Sequence, residues 1–393
     1  MQIPFFDSDG EGEKWLRDHP YYCAKPFYSK TYEQDNKVSW CCHWTKPFNI
    51  NEFNSFNREI FHNNKPINGC EFCYSVERSG GLSERITESI DALVRKPHYM
   101  ESPMPSHMYI RFSNLCNVSC RMCDETQSTL WDKVNNKGYG LHEISDANWQ
   151  CIQQDIQCVD DNGSSVIKEV HLFGGETLLS KRLPSLLRML DPDVSLTLST
   201  NCTIYKPDVF NLLSRLNRVD FMLSIDGFGL LNNYLRYPSK WTNVKRNVDK
   251  FFNYDFNFIA TPAINVYNVL YMRELINFYE PYMNNGVNIT ITPQFCWEPD
   301  WMSIDVLPSY ILEEIRLEIN ELRSHRIFEA FPVATEGLLN CFNTITSMKS
   351  KWSDGGWASF KENTAFWDAT QDMKFSGVCS KLHTLIEKNS AIL

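Results

Sequence analysis

Three cysteines define the chemistry open to this chain: Cys116, Cys120 and Cys123 stand in a CxxxCxxC arrangement inside RFSNLCNVSCRMCDETQ. Three thiolates on one short loop can converge on a single centre, and a four-iron cubane held by three protein sulfurs leaves one iron open to an outside ligand. Zinc is the competing reading, since catalytic zinc also keeps an open position, although it usually recruits histidine or carboxylate. A second group lies upstream, where Cys23, Cys41, Cys42, Cys70 and Cys73 fall within CAKPFYSKTYEQDNKVSWCCHW and GCEFCYSVERSGGLSER. Four thiolates complete a cubane, and the set read from the sequence is Cys23, Cys41, Cys70 and Cys73. Neighbours on a strand face opposite ways, so Cys41 and Cys42 do not both serve one metal; Cys41 is preferred and Cys42 is the alternative. A structural zinc on the same thiolates, with or without His43, stays open.

Elements must place these thiols. From about 105 to 325, short apolar runs alternate with longer amphipathic segments, the pattern of βα repetition. Six strands are expected: MYIRFS (108–113), VIKEVHLF (166–173), VSLTLST (194–200), VDFMLSI (219–225), FNFIATPAI (256–264) and VNITITP (287–293). Helical patterns separate them, among them LPSLLRML, PDVFNLLSRL, WTNVKRNVDKFF and VLYMRELINFYEPYM, with Pro207 at a helix start. Such alternation implies parallel strands with helical crossovers, closed or partly closed into a barrel. The fold class expected is therefore α/β, a partial (β/α)6 TIM-like barrel carrying a small cysteine-rich N-terminal domain. Cys116 follows the first strand, where loops of such a barrel line the active face.

The expected division is 1–100 for the cysteine-rich region, 101–325 for the barrel and 326–393 for an extension of weak periodicity and unassigned role. At 393 residues and 43% hydrophobic, the chain can bury a large core. The formal charge of -10 argues against broad attraction to nucleic acid or an anionic membrane. The acidic opening MQIPFFDSDGEGEKW lacks a signal-peptide pattern, and no run of about 18 apolar residues follows, so a cytoplasmic protein is expected. In that compartment, fourteen cysteines point to metal ligands or catalytic thiols rather than disulfides.

The triplet resembles the signature of radical S-adenosylmethionine (SAM) enzymes, and the likeness continues downstream. FGGET (173–177) is similar to that family's GGE element, which implies that Gly174, Gly175 and Glu176 meet the methionyl ammonium of SAM. Two glycines allow close backbone approach, and a carboxylate complements an amine. STNC (199–202) resembles the family's TNG, and SIDG (224–227) ends the fourth strand. Ser199, Asn201, Ser224 and Asp226 offer hydroxyl, amide and carboxylate groups for the ribose or sulfonium end of SAM, and Met122 can pack against a ligand ring. Taken singly, these tetrapeptides also read as ordinary turns and caps. Thr177 stands where proline is common in the family, Cys202 stands where glycine is usual, and FIATPAINVYN lacks a glycine-containing ribose motif.

The resemblance implies reductive cleavage of SAM at a [4Fe-4S] cluster on Cys116, Cys120 and Cys123, giving methionine and a 5′-deoxyadenosyl radical that abstracts hydrogen from substrate. The amino-terminal cysteines resemble a twitch module, related to SPASM, which implies a second, auxiliary [4Fe-4S] cluster. By the same resemblance the first expected substrate is a peptide or small protein, undergoing oxidation, crosslinking or epimerisation, with a sugar or small metabolite as the alternative. A flavodoxin or ferredoxin is the expected electron donor, and neither nucleic acid nor membrane is an expected partner. From another class comes a zinc-stapled binding or scaffold protein. Cys296, Cys341 and Cys379 read as late hydrogen-atom donors or, more simply, as buried small hydrophobes.

Overall fold

The structure is a computed structural model describing residues 5–50, 65–78, 83–96 and 105–388. The expected boundary near residue 100 and most of SGGLS fall outside the described residues. The fold is mixed α/β with a large, mostly parallel sheet. The chain divides into two compact units, one running to Asn114 and including Leu141–Thr197 and Arg215–Arg218, the other holding Leu115–Gly140, Leu198–Ser214 and Val219 onward.

In the first unit, strand His107–Arg111 pairs in parallel with Glu169–Phe173, with His107 opposite Glu169 and Arg111 opposite Phe173. Its other edge pairs in parallel with Ser29–Tyr32, Ser29 opposite His107. Sequence reading gave no strand there. SKTY is too short for a visible alternation, and only the neighbouring strand makes it extended. Lys37–Ser39 and Phe48–Asn49 continue this edge in antiparallel sense. The amino-terminal cysteine region thus shares a sheet with the first expected barrel strand.

In the second unit, Arg218–Leu223 pairs in parallel with Asn257–Ala260, Asp220 opposite Asn257, and the latter with Ile289–Ile291. Strand Ser195–Thr200 contributes its first half to one unit and its second half to the other. Its burial alternates residue by residue, as a strand with one covered face requires. Helices Pro207–Leu213 and Trp241–Phe251 supply Phe210 and Phe251 to an aromatic core with Phe221, Phe256 and Phe258. Phe210 lies 5.3 Å from Phe221 and 4.8 Å from Phe251 between ring centroids, the spacing at which aromatic pairs attract beyond their buried area.

All six expected strands are present, most of them shorter at one or both ends. The fifth is interrupted at Thr261–Pro262, splitting Asn257–Ala260 from Ala263–Ile264, because proline has no N–H for the ladder. The carboxy-terminal region, where weak periodicity gave no elements, forms helices Glu336–Ser347, Asp354–Gln371 and Ser380–Lys388. Among the described residues, no helix is long and apolar enough to cross a membrane.

Candidate functional site

The thiol loop belongs to the second unit and is tied down by main-chain bonds. Ser119 and Cys120 form a short antiparallel bridge with Tyr237 and Arg236, and the Arg121 N–H donates to the Leu235 carbonyl at 3.0 Å. The Cys123 N–H donates to the Cys120 carbonyl at 3.1 Å, closing a turn over Arg121 and Met122. The loop then enters helix Thr129–Asn135, capped by the Ser128 hydroxyl, which accepts from the Trp131 N–H and donates to the Val118 carbonyl. Thr129 Oγ1 accepts from the Cys116 N–H at 3.3 Å. Each cysteine is therefore held at its own backbone.

Two polar side chains face the sulfurs. Arg236 Nη1 lies 3.6 Å from Cys120 Sγ, and the Asn201 amide nitrogen lies 3.8 Å from Cys116 Sγ. Arg236 is fixed by Asp226, whose carboxylate accepts from Arg236 Nε at 2.7 Å and from the Ala263 N–H at 2.8 Å. Both Asp226 oxygens are thus engaged within the chain, and its side chain is fully buried. The Asn201 amide also donates to Asn117 Oδ1 at 3.1 Å, and Thr203 joins the pair through hydrogen bonds to both. The Cys123 thiol donates to Cys120, which with the Arg236 charge holds the Cys120 thiol below its ordinary range against the upward push of burial. Cys123 is raised by the same hydrogen bond, by burial and by the charges of Cys120 and Cys116. Among the described residues, no histidine or carboxylate is grouped with these thiols as a close ligand set, and three thiols met by a guanidinium and an amide suit a soft iron–sulfur centre.

The remaining residues singled out in sequence divide between the units. Ser199, half-buried, donates to Met222 Sδ at 3.7 Å, and the Ser224 N–H donates to the Thr200 carbonyl at 3.0 Å. Met122 is half-buried within the loop. Cys202 adopts φ +61°, the left-handed region that favours glycine, which gives a backbone reason for glycine to be usual there. Its side chain is wholly buried, and its carbonyl accepts from Asn247 at 3.0 Å. Cys296, Cys341 and Cys379 are all buried, as small hydrophobes are. Burial and the Asp226 charge push Cys296 up to about 12.

Gly174, Gly175 and Glu176 lie in the first unit. Gly174 has φ +102°, and a Cβ there would come within 2.6 Å of Arg111 Cγ and 2.9 Å of the Ser113 carbonyl, so only glycine fits. The Gly175 N–H donates to the same carbonyl at 2.9 Å. Glu176 is buried and accepts from the Leu178 N–H at 3.1 Å, capping the short turn Thr177–Leu179.

The amino-terminal cysteines come from three segments of this unit. Cys23 precedes the turn of helix Lys25–Tyr28, Cys41 and Cys42 follow strand Lys37–Ser39, and Cys70 and Cys73 flank the start of helix Glu71–Arg78. Cys41 and Cys42 occupy a turn closed by the Trp44 N–H on the Cys41 carbonyl at 3.2 Å, rather than the strand end expected. Cys23 is raised well above its ordinary range by burial and by the charges of Cys41, Cys70 and Cys73, which puts those three thiols within electrostatic reach of Cys23. Burial and Cys42 push Cys41 up to about 12, and burial and Cys73 do the same to Cys70.

Cys42 faces elsewhere. It lies 3.5 Å from a Glu84 oxygen, and a further partner of that carboxylate is His43, whose Nε2 is 2.5 Å away and whose ring stacks on Phe72. Cys42, His43 and Glu84 have ligand atoms close enough for one ion. Lys25 already supplies a buried cation there, ion-paired with Glu84 and placed 4.2 Å from the Tyr109 ring centroid. Burial raises the Cys42 thiol, but the Lys25 charge and the His43 hydrogen bond prevail and bring it to about 7. Sequence reading missed Lys25 because a lysine beside a proline in a polar stretch gives no sign of burial.

Fold and site together define an α/β chain with a mostly parallel sheet and a loop that carries three thiols met by Arg236 and Asn201. No model of a known protein family matches the chain, and no curated protein matches it. Solved structures resemble it. SuiB of Streptococcus suis bound to S-adenosylmethionine shares 17% identity over 72% of this chain and 61% of its own, with a TM-score of 0.41. The chain therefore spans less than two thirds of that protein's length. Native anSMEcpe with bound AdoMet and Cp18Cys peptide shares 17% identity over 62% of this chain and 67% of its own, with a TM-score of 0.42. TYW1 with a lysine-pyruvate adduct bound shares 12% identity over 80% and 90%, with a TM-score of 0.37.

Proposed function

We propose that this chain is a radical SAM enzyme whose strands form a partial barrel of that family. Cys116, Cys120 and Cys123 hold a [4Fe-4S] cluster, which when reduced cleaves SAM to a radical that takes hydrogen from a substrate. The single observation that carries the reading is the loop itself, three anchored thiols with Arg236 at Cys120 and Asn201 at Cys116. These donors favour anionic sulfur and stabilise the thiolate state that iron requires. Asp226 fixes Arg236 and so enters through it. Gly174, Gly175 and Glu176 are assigned to the methionyl end of SAM, and Ser199, Asn201, Ser224 and Met122 to its remainder. Excluding water and orienting the substrate C–H bond are the protein's remaining tasks.

In the first unit, Cys23, Cys41, Cys70 and Cys73 are assigned to an auxiliary cluster, supported by the electrostatic reach of the other three to Cys23 and by Cys42 facing Lys25 and Glu84. A peptide or small protein is the proposed substrate class, on the likeness of these cysteines to a twitch module. The test is anaerobic reconstitution with iron and sulfide, followed by reduction with SAM and a peptide encoded beside the gene. Methionine and 5′-deoxyadenosine are the expected products, with a peptide mass loss of two hydrogens for oxidation or solvent deuterium uptake for epimerisation. Zinc without iron or sulfide, and no SAM cleavage, would overturn the reading in favour of a zinc-stapled scaffold.

A further inference from the structure

Arg121 sits inside the thiol loop, between Cys120 and Cys123, yet its side chain is completely buried. A guanidinium is withdrawn from water at considerable cost unless its donors are met. Here Nε and Nη2 are met from far along the chain, while Nη1 has no hydrogen-bond partner among the described residues and faces the aromatic rings around it. Nε donates to the Tyr234 carbonyl at 2.9 Å, and Nη2 reaches the Gln371 side-chain oxygen at 3.2 Å and an Asp368 oxygen at 3.4 Å. Its central carbon lies 3.5 Å from the Tyr234 ring centroid, 5.3 Å from Tyr267 and 5.7 Å from Trp367. Second contacts lock these partners: the Tyr234 hydroxyl donates to Asp368 at 2.6 Å, and the Tyr267 and Thr364 hydroxyls bond at 2.7 Å. Thr364, Trp367, Asp368 and Gln371 all belong to helix Asp354–Gln371, to which sequence analysis gave no role.

We propose that Arg121 is a positioning residue for the thiol loop, held by Asp368 and Gln371, and that helix Asp354–Gln371 is thereby part of the apparatus that retains the cluster. The inference rests on the reading of the loop as a cluster holder. Its mechanical basis is the turn closed by the Cys123 N–H on the Cys120 carbonyl, since Arg121 lies within that turn and fixing its side chain fixes the spacing of the two thiols. Lysine cannot replace it fully, because an ammonium lacks the planar fork that serves the Tyr234 carbonyl and the helix at once.

The experiment uses the full chain, reconstituted anaerobically, as wild type, Arg121→Lys, Arg121→Gln, Asp368→Asn and the Arg121→Gln/Asp368→Asn double variant. Far-UV circular dichroism verifies folding. The readout is the rate at which an iron chelator removes the SAM-responsive EPR signal of the reduced protein, which separates the open-iron cluster from an auxiliary one. Arg121→Gln should lose that signal about tenfold faster than wild type, the usual scale for removing a group that orients a metal ligand. Asp368→Asn and Arg121→Lys should fall between, and the double variant should be no worse than Arg121→Gln, because the two residues act as one unit. A folded Arg121→Gln protein that keeps its signal at the wild-type rate overturns the proposal. Should Arg121→Gln fail to fold, a wild-type rate in Asp368→Asn overturns it equally. A wild-type chain that takes up no iron overturns the cluster reading itself, a different outcome from variants that match a loaded wild type.

Discussion

The two cysteine groups solve the same problem of gathering thiols in opposite ways. The loop of the second unit draws three from eight consecutive residues, with main-chain bonds at each step and Arg236 turned to Cys120. The first unit draws four from separate segments, and its buried cation, Lys25, is shared among Glu84, Glu88 and Cys42. Consequently Cys120 is eased towards thiolate, whereas Cys23, Cys41 and Cys70 are pushed towards thiol. Within the loop the easing is confined to Cys120, since Cys123 is raised by the hydrogen bond that lowers its neighbour. Cys23, Cys41 and Cys70 are favoured as neutral thiols, so on the proposed auxiliary-cluster reading a metal would have to displace their protons, and its binding energy would go into folding.

The sharpest break would come from single ligand deletions. Cys120→Ala should reduce SAM cleavage to background while leaving the thermal midpoint nearly unchanged. Cys73→Ala should instead lower the midpoint by about 10 °C, the shift produced by roughly 3 kcal/mol in a unit of this size. Equal midpoints for the two variants, measured by circular dichroism on loaded protein, would erase the distinction.

A smaller effect separates the thiols by acidity in metal-free protein. Peptide-resolved alkylation across pH should give Cys42 a midpoint near 7 and leave Cys41 and Cys70 unreactive until about 12. Cys120 should react below the ordinary thiol range, and Arg236→Gln should move its midpoint upward. The signs for stability are opposite. Raised thiols favour the folded state below their unfolded pKa, and that contribution is lost as pH climbs towards 12; the lowered Cys120 contributes above its unfolded pKa and loses its share as pH falls through its folded value. A common midpoint near 8.5 for all four thiols would remove the electrostatic contrast.

The smallest effect belongs to Cys202→Gly. Glycine relieves a left-handed backbone by about 1 kcal/mol, and emptying the buried side chain costs a similar amount. Urea denaturation should therefore give a net change within about 1 kcal/mol. A loss of about 3 kcal/mol would assign the thiol a packing role that outweighs its strain.

Much of this was legible because local pattern and tertiary structure agree. The six strands declared themselves by apolar runs separated by helical patterns, and the loop by its spacing together with its place after the first strand and the elements downstream. Tertiary effects hid the rest. Helix Asp354–Gln371 buries Trp357, Phe360, Thr364, Trp367 and Gln371 along one stripe, but Thr364 and Gln371 are polar and Phe366 is exposed on another side, so its period is blurred. The polar positions that spoil the pattern are those that bond Tyr267 and Arg121. Strand Ser29–Tyr32 and buried Lys25 were invisible because both are defined by what lies beside them.

On the proposed cluster reading, the bridge between Ser119–Cys120 and Arg236–Tyr237 bears on when iron would arrive during the protein's life. A loop fastened by its own backbone keeps its shape without iron, so the cluster proposed there would be filled late, on a finished chain, and could be refilled after oxidative damage. Under iron scarcity a protein so built would persist as a ready but idle form, and recovery would need a supply of iron and sulfide rather than new synthesis.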